Sequence, residues 1–130
     1  MKNQHIKLYS DIVGLLAKFS NAEKIQVGAL LLRDKRIIAT GYNGQPHGQP
    51  HKAVHVDGHD VSTIHAEMNC IMFAAKHGIK IDGCEMFCSY FPCANCIKML
   101  YQAGIKKLYY INDYTNGENI YKDLIEIRKV

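Results

Sequence analysis

The stretch CEMFCSYFPCANCIKMLYQAGIKKLYYI, residues 84–111, decides the fold. Its first part, Cys84–Tyr90, has the apolar and aromatic composition of a β-strand. Pro92 suits the first turn of a helix, and Gly104 suits the residue just after that helix ends. A second strand follows over Lys106–Ile111. A strand, a helix and a strand in this order predict a right-handed β-α-β crossover between parallel strands.

The chain before this unit adds a helix and a hairpin. Apolar residues recur at spacings of three and four over His5–Phe19, which is typical of an amphipathic helix. Two aliphatic runs, Val27–Leu32 and Ile37–Thr40, are separated by the charged turn at residues 33–36, and this pattern predicts a β-hairpin. Strands and helices in this arrangement indicate a layered α/β sandwich.

Three further segments complete the predicted structure. Gly41–Ser62 is rich in glycine and lacks a sustained period, so we expect a long loop. A helix is predicted from a cap at Ser62 or Thr63 to about His77, just before a glycine that stops it. We also expect the tail Glu118–Val130 to be helical.

Length and composition narrow the class of protein. A chain of 130 residues suits one domain, residues 1–130, and 48% hydrophobic with 22% charged residues is ordinary for a globular protein. No window reaches the roughly 20 uncharged residues of a membrane span. Five cysteines that include a C-x-x-C favour metal binding in a reducing cytoplasm over disulfides. A dispersed net charge of +4 suits an anionic small molecule better than a nucleic acid or a membrane.

Two short motifs carry the chemistry, each at the start of a predicted helix. They are His65-Ala-Glu67 and Pro92-Cys93-Ala-Asn-Cys96, the H-x-E and P-C-x-x-C pair of zinc nucleobase deaminases. Alone, the first is common by chance, and the second could be a structural zinc half-site or a redox pair. Together they predict a catalytic Zn²⁺ held by one imidazole and two thiolates, with the fourth position open to water.

The predicted surroundings of this metal suit hydrolysis. Helix N-termini favour the thiolate forms of Cys93 and Cys96. Zinc lowers the pKa of a bound water from about 15.7 towards about 7, which makes hydroxide the expected nucleophile. Glu67, beside the ligand His65, is predicted to carry protons rather than to bind the metal.

Longer motifs give a resemblance to the deoxycytidylate (dCMP) deaminases over about residues 5–128. It implies a three-layer, cytidine-deaminase-like α/β sandwich with a central mixed sheet flanked by helices. It also implies hydrolysis of dCMP to dUMP and ammonia by a homo-oligomer, often a hexamer in this family, and it separates the chain from tRNA adenosine deaminases. The motifs that carry it are Q-V-G-A-L at 26–30, R-I-I-A-T-G-Y-N-G at 36–44, T-I-H-A-E-M-N at 63–69, F-P-C-A-N-C at 91–96 and Q-A-G-I-K-K at 102–107.

The resemblance also implies four substrate contacts. Asn43 corresponds to a ribose contact, although an asparagine there also suits a turn. The backbone at Ala66 is expected to meet the pyrimidine edge. Tyr114 is expected near the base, with an exposed loop tyrosine as the alternative. Lys24 stands where similar chains carry an arginine that meets the phosphate, and lysine lacks the bidentate fork of arginine.

Some positions depart from the resemblance. Ala22 and Asp60 stand where similar chains carry cysteines for a second, structural zinc, so we expect that site to be absent or altered. Ser62 replaces a frequent arginine, which puts nucleotide regulation in doubt. The loop offers four histidines that could form a replacement metal site, remain solvated or contact another subunit. They are His47, His51, His55 and His59.

Two alternatives to dCMP deamination stay open. The substrate could be another free cytosine compound, such as dCTP, cytidine or a modified dCMP. The chain could instead be a non-catalytic zinc-binding module that senses nucleotides or binds nucleic acid, although the presence of Glu67 argues against this.

Overall fold

The computed structural model describes residues 1–114 and 118–130. Its elements are α1 Asn3–Ala17, β1 Gly28–Arg33, β2 Arg36–Tyr42, β3 His55–Val56, β4 His59–Asp60, α2 Ala66–Lys76, β5 Glu85–Tyr90, α3 Ala94–Gln102, β6 Lys107–Asn112 and β7 Glu126–Lys129. Within these residues, five strands form one mixed sheet with order β2-β1-β5-β6-β7, and β3 and β4 form a small two-stranded sheet. β1 pairs antiparallel with β2 and β5, whereas β6 pairs parallel with β5 and β7. The predicted parallel crossover is therefore confirmed.

Helices cover both faces of the large sheet, as the predicted three-layer sandwich requires. Alternate residues of β1 enter two separate cores. Leu30 and Leu32 pack with Tyr9 and Val13 of α1. Leu31 and its neighbours on the opposite face pack with side chains of α2 and α3, among them Cys70, Ala74, Ile97 and Leu100. The sheet is thus buried on both sides along its centre.

Gly41 in β2 brings the start of α2 close to the sheet. A Cβ at this position would lie 2.5 Å from the carbonyl oxygen of Ala66 and 2.9 Å from the backbone nitrogen of Cys70. Real Cβ atoms do not approach backbone this closely, so only glycine permits the contact. The first turn of α2 is therefore fixed directly against β2.

The predicted helix over Glu118–Val130 is wrong, because the chain ends in strand β7. β7 pairs with β6 from Lys107↔Glu126 to Tyr110↔Lys129. Pairing with an available sheet edge is a non-local interaction, and it outweighs a weak helical spacing. Ile125 is buried against the core just before the strand.

The connection between β2 and α2, residues 43–64, is named the cavity loop. The sequence predicts a long loop over Gly41–Ser62, whereas β2 extends to Tyr42 and the connection contains the β3–β4 hairpin. Asp57 and Gly58 both have positive φ, 52° and 79°, as a two-residue type I′ turn requires, and Asp-Gly is a favoured sequence there.

No helix in the described part of the chain is long and apolar enough to cross a membrane.

Candidate functional site

The side chains of His65, Cys93 and Cys96 converge where α2 and α3 begin, and we call them the metal group. His65 is the N-cap of α2 and Cys93 is the N-cap of α3. The Nδ1 atom of His65 lies 3.3 Å from Cys96 Sγ and 3.5 Å from Cys93 Sγ. Within residues 1–114 and 118–130, this is the only set of three or more potential ligands close enough to share one metal ion.

The spacing of the metal group fits a tetrahedral zinc ion. With Zn–N near 2.0 Å and Zn–S near 2.3 Å, tetrahedral geometry requires N···S separations of about 3.5 Å. The two N···S distances, 3.3 and 3.5 Å, are close to this value. Three protein ligands of this kind leave one position for a small molecule, which is the arrangement of a catalytic rather than a structural site.

The helix start that presents His65 differs from the prediction. Neither Ser62 nor Thr63 caps α2, because both hydroxyls donate to the Asp60 carboxylate, at 2.7 and 2.5 Å. His65 takes the N-cap position without a side-chain cap bond, so its ring is free to point at the two thiols. Pro92 likewise precedes the N-cap of α3 instead of lying in its first turn.

The two thiols of the metal group differ in acidity. Hydrogen bonding from the Cys96 thiol, and then from His65, lowers the pKa of Cys93 to about 4. The same bond to Cys93 raises the pKa of Cys96, and hydrogen bonding to Cys93 raises the pKa of His65. The Cys93 thiol therefore ionises more readily than the Cys96 thiol, and binding of a metal to both sulfurs releases protons.

Glu67 lies beside the metal group in a buried position. Its side chain is 4% exposed, and burial raises the pKa of its carboxyl group. It lies in the first turn of α2, one residue after Ala66 and two after His65. A buried carboxyl with a raised pKa is suited to accept and release protons near neutral pH.

A cavity of about 550 Å³, the site cavity, opens onto Glu67, His65 and Cys93. Its size is in the usual range for small-molecule sites. The four residues expected to contact substrate also line it, so the fold brings all of them to the same place as the metal group. These residues are Lys24, Asn43, Ala66 and Tyr114.

Asn43 uses its side chain within the protein. Its Oδ1 accepts from the backbone N–H of Val27 at 2.9 Å, and its Nδ2 donates to the carbonyl of Ile25 at 2.8 Å. The amide thus ties the strand end to the segment that carries Lys24. These partners lie 16 and 18 residues away along the chain, so the Asn43 side chain links two distant segments and does not form the local turn that was the alternative. One Nδ2 hydrogen remains for a further contact, and the ribose contact stays a prediction.

Sequence reasoning missed part of the cavity wall. Tyr90, at the end of β5, packs edge-on against Tyr114 with ring centroids 6.4 Å apart and planes at 88°, and both line the cavity. An aromatic residue just before Phe91-Pro92 was the available signal. Three loop histidines also line the cavity, namely His51, His55 and His59.

Comparison with known proteins agrees with this geometry. A family profile described as "Cytidine and deoxycytidylate deaminase zinc-binding region" matches residues 2–112. ComE operon protein 2 of Bacillus subtilis is 46% identical over 104 residues, which cover 77% of this chain and 55% of that relative. Human deoxycytidylate deaminase is 34% identical over 108 residues, covering 76% and 60%. The chain thus spans little more than half the length of these relatives.

A solved structure covers the whole chain. The crystal structure of dCMP deaminase from the cyanophage S-TIM5, in complex with dCMP and dUMP, is 35% identical and superposes with a TM-score of 0.88. The match covers 100% of this chain and 99% of that one.

Proposed function

This chain belongs to the cytidine and deoxycytidylate deaminase family, and from that membership we propose that it hydrolyses dCMP to dUMP and ammonia. The observation that carries the proposal is the convergence of the metal group and the buried Glu67 on one cavity. We propose that residues 1–130 act as a single deaminase domain. The homo-oligomer and the cytoplasmic location expected from the sequence remain part of this proposal.

The metal group would hold Zn²⁺ through one imidazole nitrogen and two sulfurs. When bound, zinc supplies Lewis acidity, which lowers the pKa of a coordinated water. Cys93 contributes a ready thiolate. The N-terminal ends of α2 and α3 add partial positive charge where the thiolates gather, which favours their ionised forms.

Glu67 would move the protons of the reaction. Its carboxylate takes a proton from the attacking water while the new C4–O bond forms, and it passes that proton to ring nitrogen N3. It then takes the remaining proton from the new hydroxyl group on C4 and gives it to the exocyclic amine, so that the C4–N bond breaks, the C4 carbonyl forms and ammonia leaves. Burial supports this role because it raises the pKa of the carboxyl and excludes competing water.

The remaining predicted contacts would hold the substrate. The backbone at Ala66 is proposed to meet the pyrimidine edge, and Tyr114 the face of the base. Asn43 is proposed to use its free amide hydrogen on the sugar. Lys24, which lines the same cavity, is proposed to attract the phosphate.

Ammonia release tests this proposal, measured with dCMP, CMP, dCTP and deoxycytidine side by side on zinc-loaded protein. A metal count on the same sample completes the test. We expect dCMP to give the highest kcat/KM, with about one zinc per chain from the single tetrahedral group. Equal rates on deoxycytidine would overturn the nucleotide assignment, and bound zinc with no turnover on any substrate would favour the binding-module alternative.

A further inference from the structure

The cavity loop places imidazoles on the wall of the site cavity. His51 and His55 line it together with Lys24, while His47 of the same loop does not. His59 also lines the cavity, but it pairs with Val56 across the hairpin, whereas His55 pairs with Asp60. Directly paired residues share a face and neighbours along a strand alternate. His55 therefore lies on the Asp60 face of the hairpin, and His59 lies on the other.

A hydrogen bond determines which ring nitrogen of His51 can donate to a ligand. Its Nδ1 lies 3.1 Å from the side-chain Nδ2 of Asn21. The amide NH₂ can only donate, so Nδ1 must accept and the ring hydrogen sits on Nε2. Nε2–H is thus the ring donor that remains, and His51 lines the cavity together with Asn21.

The charges of the wall show why such donors matter. Glu23 and Asp60 line the cavity as well as Lys24, so one lysine does not make this wall positive. The Asp60 carboxylate is already engaged by Ser62 and Thr63. The Lys24 ammonium group is a point charge without the fork of donors that arginine has. A dianionic phosphate has more acceptor sites than one ammonium group can satisfy.

A metal is a poorer occupant for these histidines than an anion. In the part of the chain that the structure describes, no three potential ligands of the cavity loop come close enough to share an ion. Imidazole N–H groups that reach the same cavity without converging on one point suit an occupant with several oxygen acceptors.

We propose that Lys24, His51 and His55 form a subsite for the 5′-phosphate of the nucleotide. The histidine N–H groups supply the hydrogen bonds and Lys24 supplies the charge. This inference rests on the proposed function, since the nucleotide must enter the cavity with its base at the metal group.

The test compares His51→Ala/His55→Ala with His47→Ala, an exposed histidine of the same loop that lies outside the wall. Binding of dUMP and of deoxyuridine is measured by calorimetry, and kcat/KM is measured for dCMP and deoxycytidine. The double variant is expected to weaken dUMP binding and lower kcat/KM for dCMP on the order of tenfold or more, as lost bonds to a charged group do. Deoxyuridine and deoxycytidine should be unaffected.

The outcomes separate this inference from the proposed function. Equal losses with and without the phosphate, no loss at all, the same loss in His47→Ala, or failure of the wild type to bind dUMP would overturn the subsite. A wild type that releases no ammonia but binds dUMP through these histidines would overturn the proposed function and support the subsite.

Discussion

The metal group and the cavity loop face the same cavity but are held in different ways. His65 and Cys93 are the N-caps of two helices packed against the sheet, and Glu67 and Cys96 lie buried in the first turns of these helices. The loop histidines are exposed. The Ser62 hydroxyl helps to shape the loop, since it donates to the Asp60 carboxylate and accepts from the backbone N–H of Val54. Under the proposed function, rigid elements would carry the chemistry and a surface loop would carry substrate recognition. We therefore expect substitutions in and around the metal group to change zinc binding, turnover or stability, and substitutions of residues in the cavity wall to change substrate binding.

The largest effect is expected from Cys96→Ser, which removes a buried ligand of the metal group. Zinc content should fall close to zero and deamination to background, because two ligands hold zinc far less tightly than three. Atomic absorption and ammonia release check this. Cys70→Ser is the matched control, since Cys70 is also buried but its thiol bonds to the Ala29 carbonyl at 3.3 Å. Zinc retained by Cys96→Ser would break the assignment.

Glu67→Gln should affect turnover while leaving the metal in place. Glutamine keeps the size of the side chain but cannot carry the proton, and general acid–base catalysis contributes typically about 10²- to 10⁴-fold. Turnover of dCMP should fall by that factor at unchanged zinc content. Glu23→Gln is the control, because Glu23 lines the cavity from an exposed position. Loss of zinc from Glu67→Gln would show that Glu67 helps to build the metal site.

Gly41→Ala tests the rigid region through its packing. The added methyl would meet the backbone of Ala66 and Cys70, and overpacking of this kind costs about 1–3 kcal/mol. Urea unfolding should show the loss in the free energy of unfolding, together with weaker zinc binding as the start of α2 shifts. Gly44→Ala is the matched control, since nothing lies within 4 Å of a Cβ there. Similar stability in both variants would contradict the close approach.

The same division explains what the sequence could predict. The strand–helix–strand unit and the metal group depend on local signals, since periodicity and the flanking Pro92 and Gly104 mark the two ends of α3, although Pro92 lies one residue before the N-cap. The tail strand β7 depends on the edge of β6, which no local pattern reveals. Ser62 and Thr63 failed as caps because Asp60 competes for their hydroxyls. Which loop residues face the cavity is likewise a product of tertiary packing.

Tyr90 gives the smallest expected effect and the finest test of the comparison, because it is the last residue of strand β5 and also lines the site cavity. Its edge contact orients Tyr114, and aromatic pairs contribute about 0.5–1.5 kcal/mol beyond burial. Tyr90→Leu should therefore raise KM for dCMP by roughly 2- to 10-fold at nearly constant kcat. Tyr90→Phe keeps the ring and should restore KM.

A double variant decides whether Tyr90 acts through Tyr114. If the two rings work as a pair, Tyr90→Leu should add little to the KM of Tyr114→Ala, because the partner it orients is already gone. Additive losses would mean that Tyr90 touches the substrate on its own. A fall in kcat with unchanged KM would instead mean that Tyr90 supports the nearby Cys93 of the metal group. Tyr90 would then belong with the rigid elements that hold the metal group and not with the residues that bind substrate.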